Sequence, residues 1–190
     1  MSAPILLLDV DGVLNALPYT QSDLAVWGDW QHGNAVAEGS RWPITWSPSV
    51  VTALREWHEA GQAEVRWLTT WGHDANSELR LLLGLPELVV AGTYRDAGAP
   101  TTQAEAGEAH ASVAPAAPDP LSGAWWKYDV VARLVREEAG RRFIWVDDDL
   151  HRFDDVFFRW ATEQPMITPI APDPRSGLSQ ADLAAIADAL

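Results

Sequence analysis

The feature that most constrains the fold of this chain is an uninterrupted apolar segment, Ile5–Leu8, that runs directly into Asp9, Asp11 and Gly12. A short apolar run bounded by turn residues is typical of a strand that is buried on both faces, as in a parallel sheet. Open α/β sheets bind their ligands just beyond the carboxyl ends of the strands. The segment therefore predicts a buried strand that delivers two carboxylates to a site for metal binding or covalent catalysis.

The rest of the chain alternates between strand-like and helix-like patterns. Further strands are predicted at 63–68, 88–91, 143–146 and 166–170, and helices at about 48–60, 75–83, 125–139 and 179–190. This alternation predicts an α/β fold, a three-layer Rossmann-like parallel sheet of about five strands with helices on both faces. A length of 190 residues fits a single domain, 1–190, with a sizeable core.

Two segments interrupt the alternation. Residues 13–48 are rich in Gly, Trp and polar residues, which predicts a small flap instead of a large cap domain. Residues 97–120 are rich in Ala and Pro, which predicts a long loop insertion. The flap holds four of the 11 tryptophans of the chain, Trp27, Trp30, Trp42 and Trp46. They either pack the flap or stack on a ring of the substrate.

Amino-acid composition limits the kinds of molecule that the protein is expected to bind and the compartment in which it is expected to occur. Asp and Glu outnumber Lys and Arg by 27 to 13, a net charge of −14, which argues against general binding to nucleic-acid backbones. The absence of cysteine excludes disulfides and thiol nucleophiles and suits a reducing compartment. The N-terminus shows neither a basic leader nor an apolar stretch of membrane-spanning length. We therefore expect a cytoplasmic protein that does not associate with membranes.

Polar residues follow three predicted strands or open the helix before the fourth strand. They are Asp9, Asp11, Thr69, Thr70, Lys127, Asp147 and Asp148. Two carboxylates 4 Å apart repel by about 1 kcal/mol in water and about 4 kcal/mol at an intermediate dielectric, so such a cluster needs a cation. Mg²⁺ takes oxygen ligands, and hydroxyl and ammonium groups suit phosphate oxygens. The set therefore predicts a phosphoryl-transfer site.

These motifs resemble those of the haloacid dehalogenase (HAD) superfamily of Mg²⁺-dependent phosphotransferases. The family's Asp-x-Asp motif is matched by Asp9-Val10-Asp11, and its later motifs are matched in order by Thr69, Lys127 and the pair Asp147-Asp148. The opening Leu-Asp-Val-Asp-Gly-Val-Leu-Asn of residues 8–15 also looks like small HAD domains linked to RNA-repair proteins.

The resemblance implies a role for each matched residue. Asp9 would be the nucleophile that forms an aspartyl-phosphate, and Asp11 the general acid and base. Thr69, with Thr70 beside it, and Lys127 would hold the phosphoryl group. Asp9, the Asp11 backbone carbonyl and either Asp147 or Asp148 would ligate Mg²⁺, with the choice within the last pair left open. The predicted activity is hydrolysis of a phosphate monoester.

Two other motifs that bind calcium or nucleotides do not fit the chain. An EF-hand loop counted from Asp9 would need Gly and Glu where the chain has Leu14 and Thr20, and no P-loop motif occurs. A non-catalytic module of the same fold, which binds a phospholigand or a partner, stays open as the alternative. The expected substrate is a small phosphorylated compound, a class that includes nucleotides and nucleic-acid ends. The histidines, Asn15 and Trp71 are expected to have structural roles.

Overall fold

The central sheet has five parallel strands with β1 in the middle. The computed structural model describes residues 2–97, 120–152 and 154–190. The strands of the chain are β1 (Ile5–Leu8), β2 (Gln31–Ala37), β3 (Ser40–Trp46), β4 (Glu64–Trp67), β5 (Val89–Val90), β6 (Phe143–Val146) and β7 (Ile167–Ile170). The sheet order is β5-β4-β1-β6-β7, and β2 and β3 form a separate hairpin. Leu8 lies opposite Trp67 on one side and Val146 on the other, so the three strands end at one level.

Helices cover both faces of this sheet. They are α1 (Pro48–Glu59), α2 (Glu78–Leu83), α3 (Tyr94–Ala97), α4 (Trp126–Glu137), α5 (Val156–Glu163) and α6 (Gln180–Ala189). Side chains alternate along a strand, so Leu6 and Leu8 enter one apolar cluster while Ile5 and Leu7 enter another. The first cluster includes residues of α1, α2 and α6, and the second includes residues of α4 and α5. This arrangement confirms the predicted three-layer α/β fold.

Two helical regions differ from the prediction. The segment expected to be helical from residue 75 forms a 3-10 turn, Gly72–Asn76, before α2 begins at Glu78. Helix α5 was not predicted; its first residues, Val156-Phe157-Phe158, have weak helix propensity, whereas Arg159, Ala161 and Glu163 favour a helix. A parallel connection from β6 to β7 nevertheless needs a crossover, and α5 supplies it. Among the described residues, no helix is both long and apolar enough to cross a membrane.

The flap predicted at 13–48 contains the β2–β3 hairpin. Its two central residues, Glu38 and Gly39, have φ values of 50° and 73°, as a tight hairpin turn of this length requires. The backbone N–H of Glu38 donates to Asp74 at 2.8 Å, which fastens the hairpin tip to the segment after β4. The insertion predicted at 97–120 falls almost wholly outside the described residues, so its loop character stays a prediction.

Candidate active site

A buried lysine joins two aspartates at the carboxyl edge of the sheet. Asp9 follows β1 and Asp147 follows β6, while Lys127 lies in the first turn of α4. The Nζ of Lys127 donates to Asp9 Oδ2 at 2.5 Å and to Asp147 Oδ2 at 2.7 Å. Lys127 is 2% exposed, Asp9 5% and Asp147 0%. The structure thus brings together three of the residues that the sequence places far apart.

Burial and charge act in opposite directions on these groups. Burial alone would lower the pKa of Lys127, but the carboxylates of Asp147 and Asp9 outweigh it and raise that pKa, so the ammonium stays charged. Burial raises the pKa of Asp147, and the neighbouring Asp9 carboxylate adds to this while Lys127 opposes it. Burial also raises the pKa of Asp148 to about 7, with further contributions from Asp149 and Asp9.

The same edge carries a set of oxygens that fits a hard divalent cation. One carboxylate oxygen from each of Asp9, Asp147 and Asp148 lies within 4.8 Å of the others. Three carboxylates face the single ammonium of Lys127, which leaves an excess of negative charge that a divalent ion would neutralise. Gly12, with φ of +76°, lets the first loop approach closely, because a Cβ there would lie against the Asp148 carboxyl group.

Two side chains hold the Asp11 carboxylate. Asn15 Nδ2 donates to Asp11 Oδ1 at 2.7 Å, and Trp71 Nε1 donates to Asp11 Oδ2 at 2.9 Å. Asn15 also accepts the backbone N–H of Thr45 in β3 at 2.8 Å, which ties Asp11 to the flap. The sequence predicts only structural roles for Asn15 and Trp71, whereas the structure places both in contact with Asp11. The available signal was their position, four residues after Asp11 and two after Thr69.

The two threonines lie just beyond β4. Thr69 is buried, and its Oγ1 accepts the backbone N–H of Trp71 at 3.4 Å. Thr70 is exposed and lines a cavity of about 210 Å³. The full lining consists of Asp11, Ala37, Glu38, Trp42, Thr70 and Trp71. Phosphate binding by Thr69 and Thr70 stays a prediction.

The four tryptophans of the flap have different environments. Trp27 and Trp30 donate their indole N–H groups to the backbone carbonyls of Leu178 and Leu24, and Trp46 is buried in the core. Trp42 is 52% exposed and lines the cavity beside Asp11. Packing therefore accounts for three of them, while stacking on a substrate ring stays open for Trp42.

Comparison with known proteins agrees with this geometry. A family profile described as "HAD domain in Swiss Army Knife RNA repair proteins" matches residues 5–183. No curated protein and no solved structure matched the chain. A HAD domain supports a hydrolase of the phosphatase type in general terms. The chain belongs to the family of HAD domains found in Swiss Army Knife RNA repair proteins, which confirms the resemblance drawn from its motifs.

Proposed function

We propose that the protein is a Mg²⁺-dependent phosphomonoester hydrolase that works through an aspartyl-phosphate on Asp9. The observation that carries the proposal is the buried contact of Lys127 with both Asp9 and Asp147, next to the Asp148 carboxylate. Buried clusters of charged groups are concentrated at functional sites, so a lysine paired with two carboxylates at this sheet edge supports an active-site role. The family match supports the same class of reaction.

Mg²⁺ would be held by the carboxylates of Asp9, Asp147 and Asp148 and by the backbone carbonyl of Asp11. When bound, it would neutralise the oxygens of the transferring phosphoryl group. Asp147 uses Oδ2 for Lys127 and Oδ1 for the backbone N–H of Asp149, at 3.0 Å, so its orientation is set before any ligand arrives. Lys127, with Thr69 and Thr70, would hold the phosphoryl oxygens of the substrate.

The chemistry takes two steps. In the first, the Asp9 carboxylate attacks phosphorus, the ester P–O bond breaks, and protonated Asp11 gives its proton to the leaving oxygen. In the second, water attacks the phosphorus of the aspartyl-phosphate while Asp11 accepts a proton from that water. The Asp9 carboxylate is regenerated, and inorganic phosphate leaves. The proposed substrate is a small phosphorylated compound, with nucleotides and nucleic-acid ends as the classes to be screened first.

The contacts of Asp11 fix its position. Its two carboxylate oxygens each accept one hydrogen bond, from Asn15 and from Trp71, so the side chain is held against the cavity that it lines. A general acid–base group must lie within reach of the atom that it protonates, and such positioning is worth orders of magnitude in rate. Asn15 and Trp71 therefore act as positioning residues.

The test is phosphate release from an aryl phosphate and from a nucleotide panel, with Mg²⁺ and with EDTA. We expect Mg²⁺-dependent release by the wild type and its loss in Asp9→Asn. Acid quenching with ³²P-labelled substrate should trap label on the wild-type protein and none on Asp9→Asn. Asp188→Asn, an exposed aspartate on α6, is the matched control and should retain activity.

Two results would contradict the proposal in different ways. Undiminished activity in Asp9→Asn would refute the assignment of the nucleophile. Mg²⁺-dependent binding of phosphorylated ligands without phosphate release across the panel would instead indicate the non-catalytic phospholigand-binding module.

A further inference from the structure

The cavity beside Asp11 lies where the leaving group of the substrate would be placed. Asp11 lines it together with Ala37, Glu38 and Trp42 of the flap hairpin. If Asp11 protonates the leaving oxygen, as proposed above, the group attached to that oxygen must extend into this space. The residues around the cavity therefore select the leaving group, whereas Asp9 and Lys127 act on the phosphoryl group.

The walls of the cavity suit a flat ring. Trp42 keeps 52% of its surface exposed, although large aromatic side chains are usually well buried. Trp71 is buried, and its indole N–H is committed to Asp11, so its ring orientation is fixed. Ala37 adds a small apolar surface. An exposed indole next to a catalytic carboxylate is a stacking platform for a base, which every nucleobase can use through its π-face.

The platform is held in place before any ligand binds. Trp42 lies opposite Ala35 in the hairpin ladder, which fixes its position on β3. The hairpin tip is fastened by the Glu38 N–H to Asp74, and β3 is fastened by the Thr45 N–H to Asn15. These two hydrogen bonds hold the hairpin that carries Trp42 against Asp74 and against Asn15, which itself contacts Asp11. A base seated on Trp42 would therefore be presented at a defined position relative to Asp11.

The charge of the cavity disfavours a second anionic group. Its ionisable lining residues are Asp11 and Glu38, both acidic, and the described lining contains neither lysine nor arginine. A further phosphate on the leaving group would meet like charge here without a compensating cation. The cavity thus favours an uncharged leaving group.

We propose that this cavity binds the nucleobase of a nucleoside monophosphate, stacked on Trp42, and that Glu38 disfavours leaving groups that carry another phosphate. The proposal rests on the proposed hydrolase function for the placement of the leaving group. It goes beyond that function by naming the substrate class and the two residues that select it.

The test compares three probes that share a phosphate ester. They are adenosine 5′-monophosphate, ribose 5-phosphate without the base, and adenosine 3′,5′-bisphosphate with a second phosphate. We expect kcat/KM for the monophosphate to exceed that for the other two by about 10-fold or more. Trp42→Ala should lower kcat/KM for the monophosphate by about 10-fold, the size of one base–aromatic stacking contact, and leave ribose 5-phosphate unchanged.

Further variants separate stacking from folding. Trp42→Phe keeps a ring and should retain most of the preference for the base. Glu38→Gln should raise kcat/KM for the bisphosphate by a larger factor than it changes kcat/KM for the monophosphate. Leu81→Ala removes another exposed apolar side chain, on α2 and outside the cavity lining, and should alter none of the three values.

Binding measured without turnover separates this proposal from the hydrolase function. Calorimetric titration of Asp9→Asn with the monophosphate and with ribose 5-phosphate measures how much the base contributes to binding affinity. Tighter binding of the monophosphate that is lost in Asp9→Asn/Trp42→Ala supports the stacking site, even if no probe is hydrolysed. Equal binding of the two probes, or equal kcat/KM in an active enzyme, would overturn the base site and leave the hydrolase function standing.

Discussion

Replacing Lys127 by methionine tests the buried charge cluster most directly. The substitution keeps an unbranched apolar side chain, one atom shorter, but removes an ammonium that contacts Asp9 at 2.5 Å and Asp147 at 2.7 Å. The exposed side-chain fractions of these three groups are 3%, 7% and 0%, so water cannot replace the lost partner. Breaking a buried ion pair by removing one partner costs about 3–5 kcal/mol, and we expect Lys127→Met to lower the free energy of unfolding by about that amount in EDTA.

A control on the same helix shows what removal of a surface cation costs. Arg133 forms an exposed pair with Glu137 at 3.2 Å, with 39% and 54% of the side chains exposed. Exposed pairs of this kind are worth about 0.5 kcal/mol or less, so Arg133→Met should have little effect. Urea unfolding followed by tryptophan fluorescence measures both variants. Equal losses in the two variants would refute the reasoning.

Two further measurements identify the charge as the cause. Adding Mg²⁺ should stabilise Lys127→Met more than the wild type, because the ion supplies positive charge to the orphaned carboxylates. Asp147→Asn added to Lys127→Met removes one of those carboxylates and should recover part of the lost stability. A double variant that is less stable than Lys127→Met would show that the loss comes from packing and not from charge.

Two other predictions concern the proposed acid–base role of Asp11 and the dependence of stability on pH. Trp71→Phe keeps an aromatic ring but removes the hydrogen-bond donor to Asp11, so kcat should fall by about 10-fold while KM changes little. This loss is a fraction of the rate factor that general acid–base catalysis contributes. A change in KM without a change in kcat would contradict the prediction. In EDTA, the free energy of unfolding of the wild type should fall as pH rises from about 5 to about 7. The pKa of Asp148 is raised from 3.8 to about 7 in the folded state, so the folded protein binds more protons than the unfolded chain in this range. Mg²⁺ should weaken this pH dependence, and melting temperatures that rise with pH over the same range in EDTA would refute the prediction.

Local sequence patterns predicted most of the strands and helices of this fold. Ile5–Leu8 is buried along its whole length, because a central strand of a parallel sheet is covered on both faces. The Ser47-Pro48 start of α1 and the Ser179–Asp182 capping box of α6 were both readable, since these end signals act within one helical turn. Helix α5 was not predicted from its local sequence, although the parallel connection from β6 to β7 requires a crossover there.

The order of the polar residues at the strand ends was determined by the sequence alone, because parallel strands deliver their carboxyl ends to one edge of a sheet. Tertiary structure decided which of those groups meet. The contact between Lys127 and Asp9 joins residues 118 positions apart, and the bond from Trp71 to Asp11 joins residues 60 apart. Such contacts depend on strand register and on how helices and flap pack, and neither leaves a periodic trace in the chain. For that reason the grouping of acidic residues and Lys127 at the sheet edge was predictable, while the positioning of Asp11 and the cavity beside Trp42 were not.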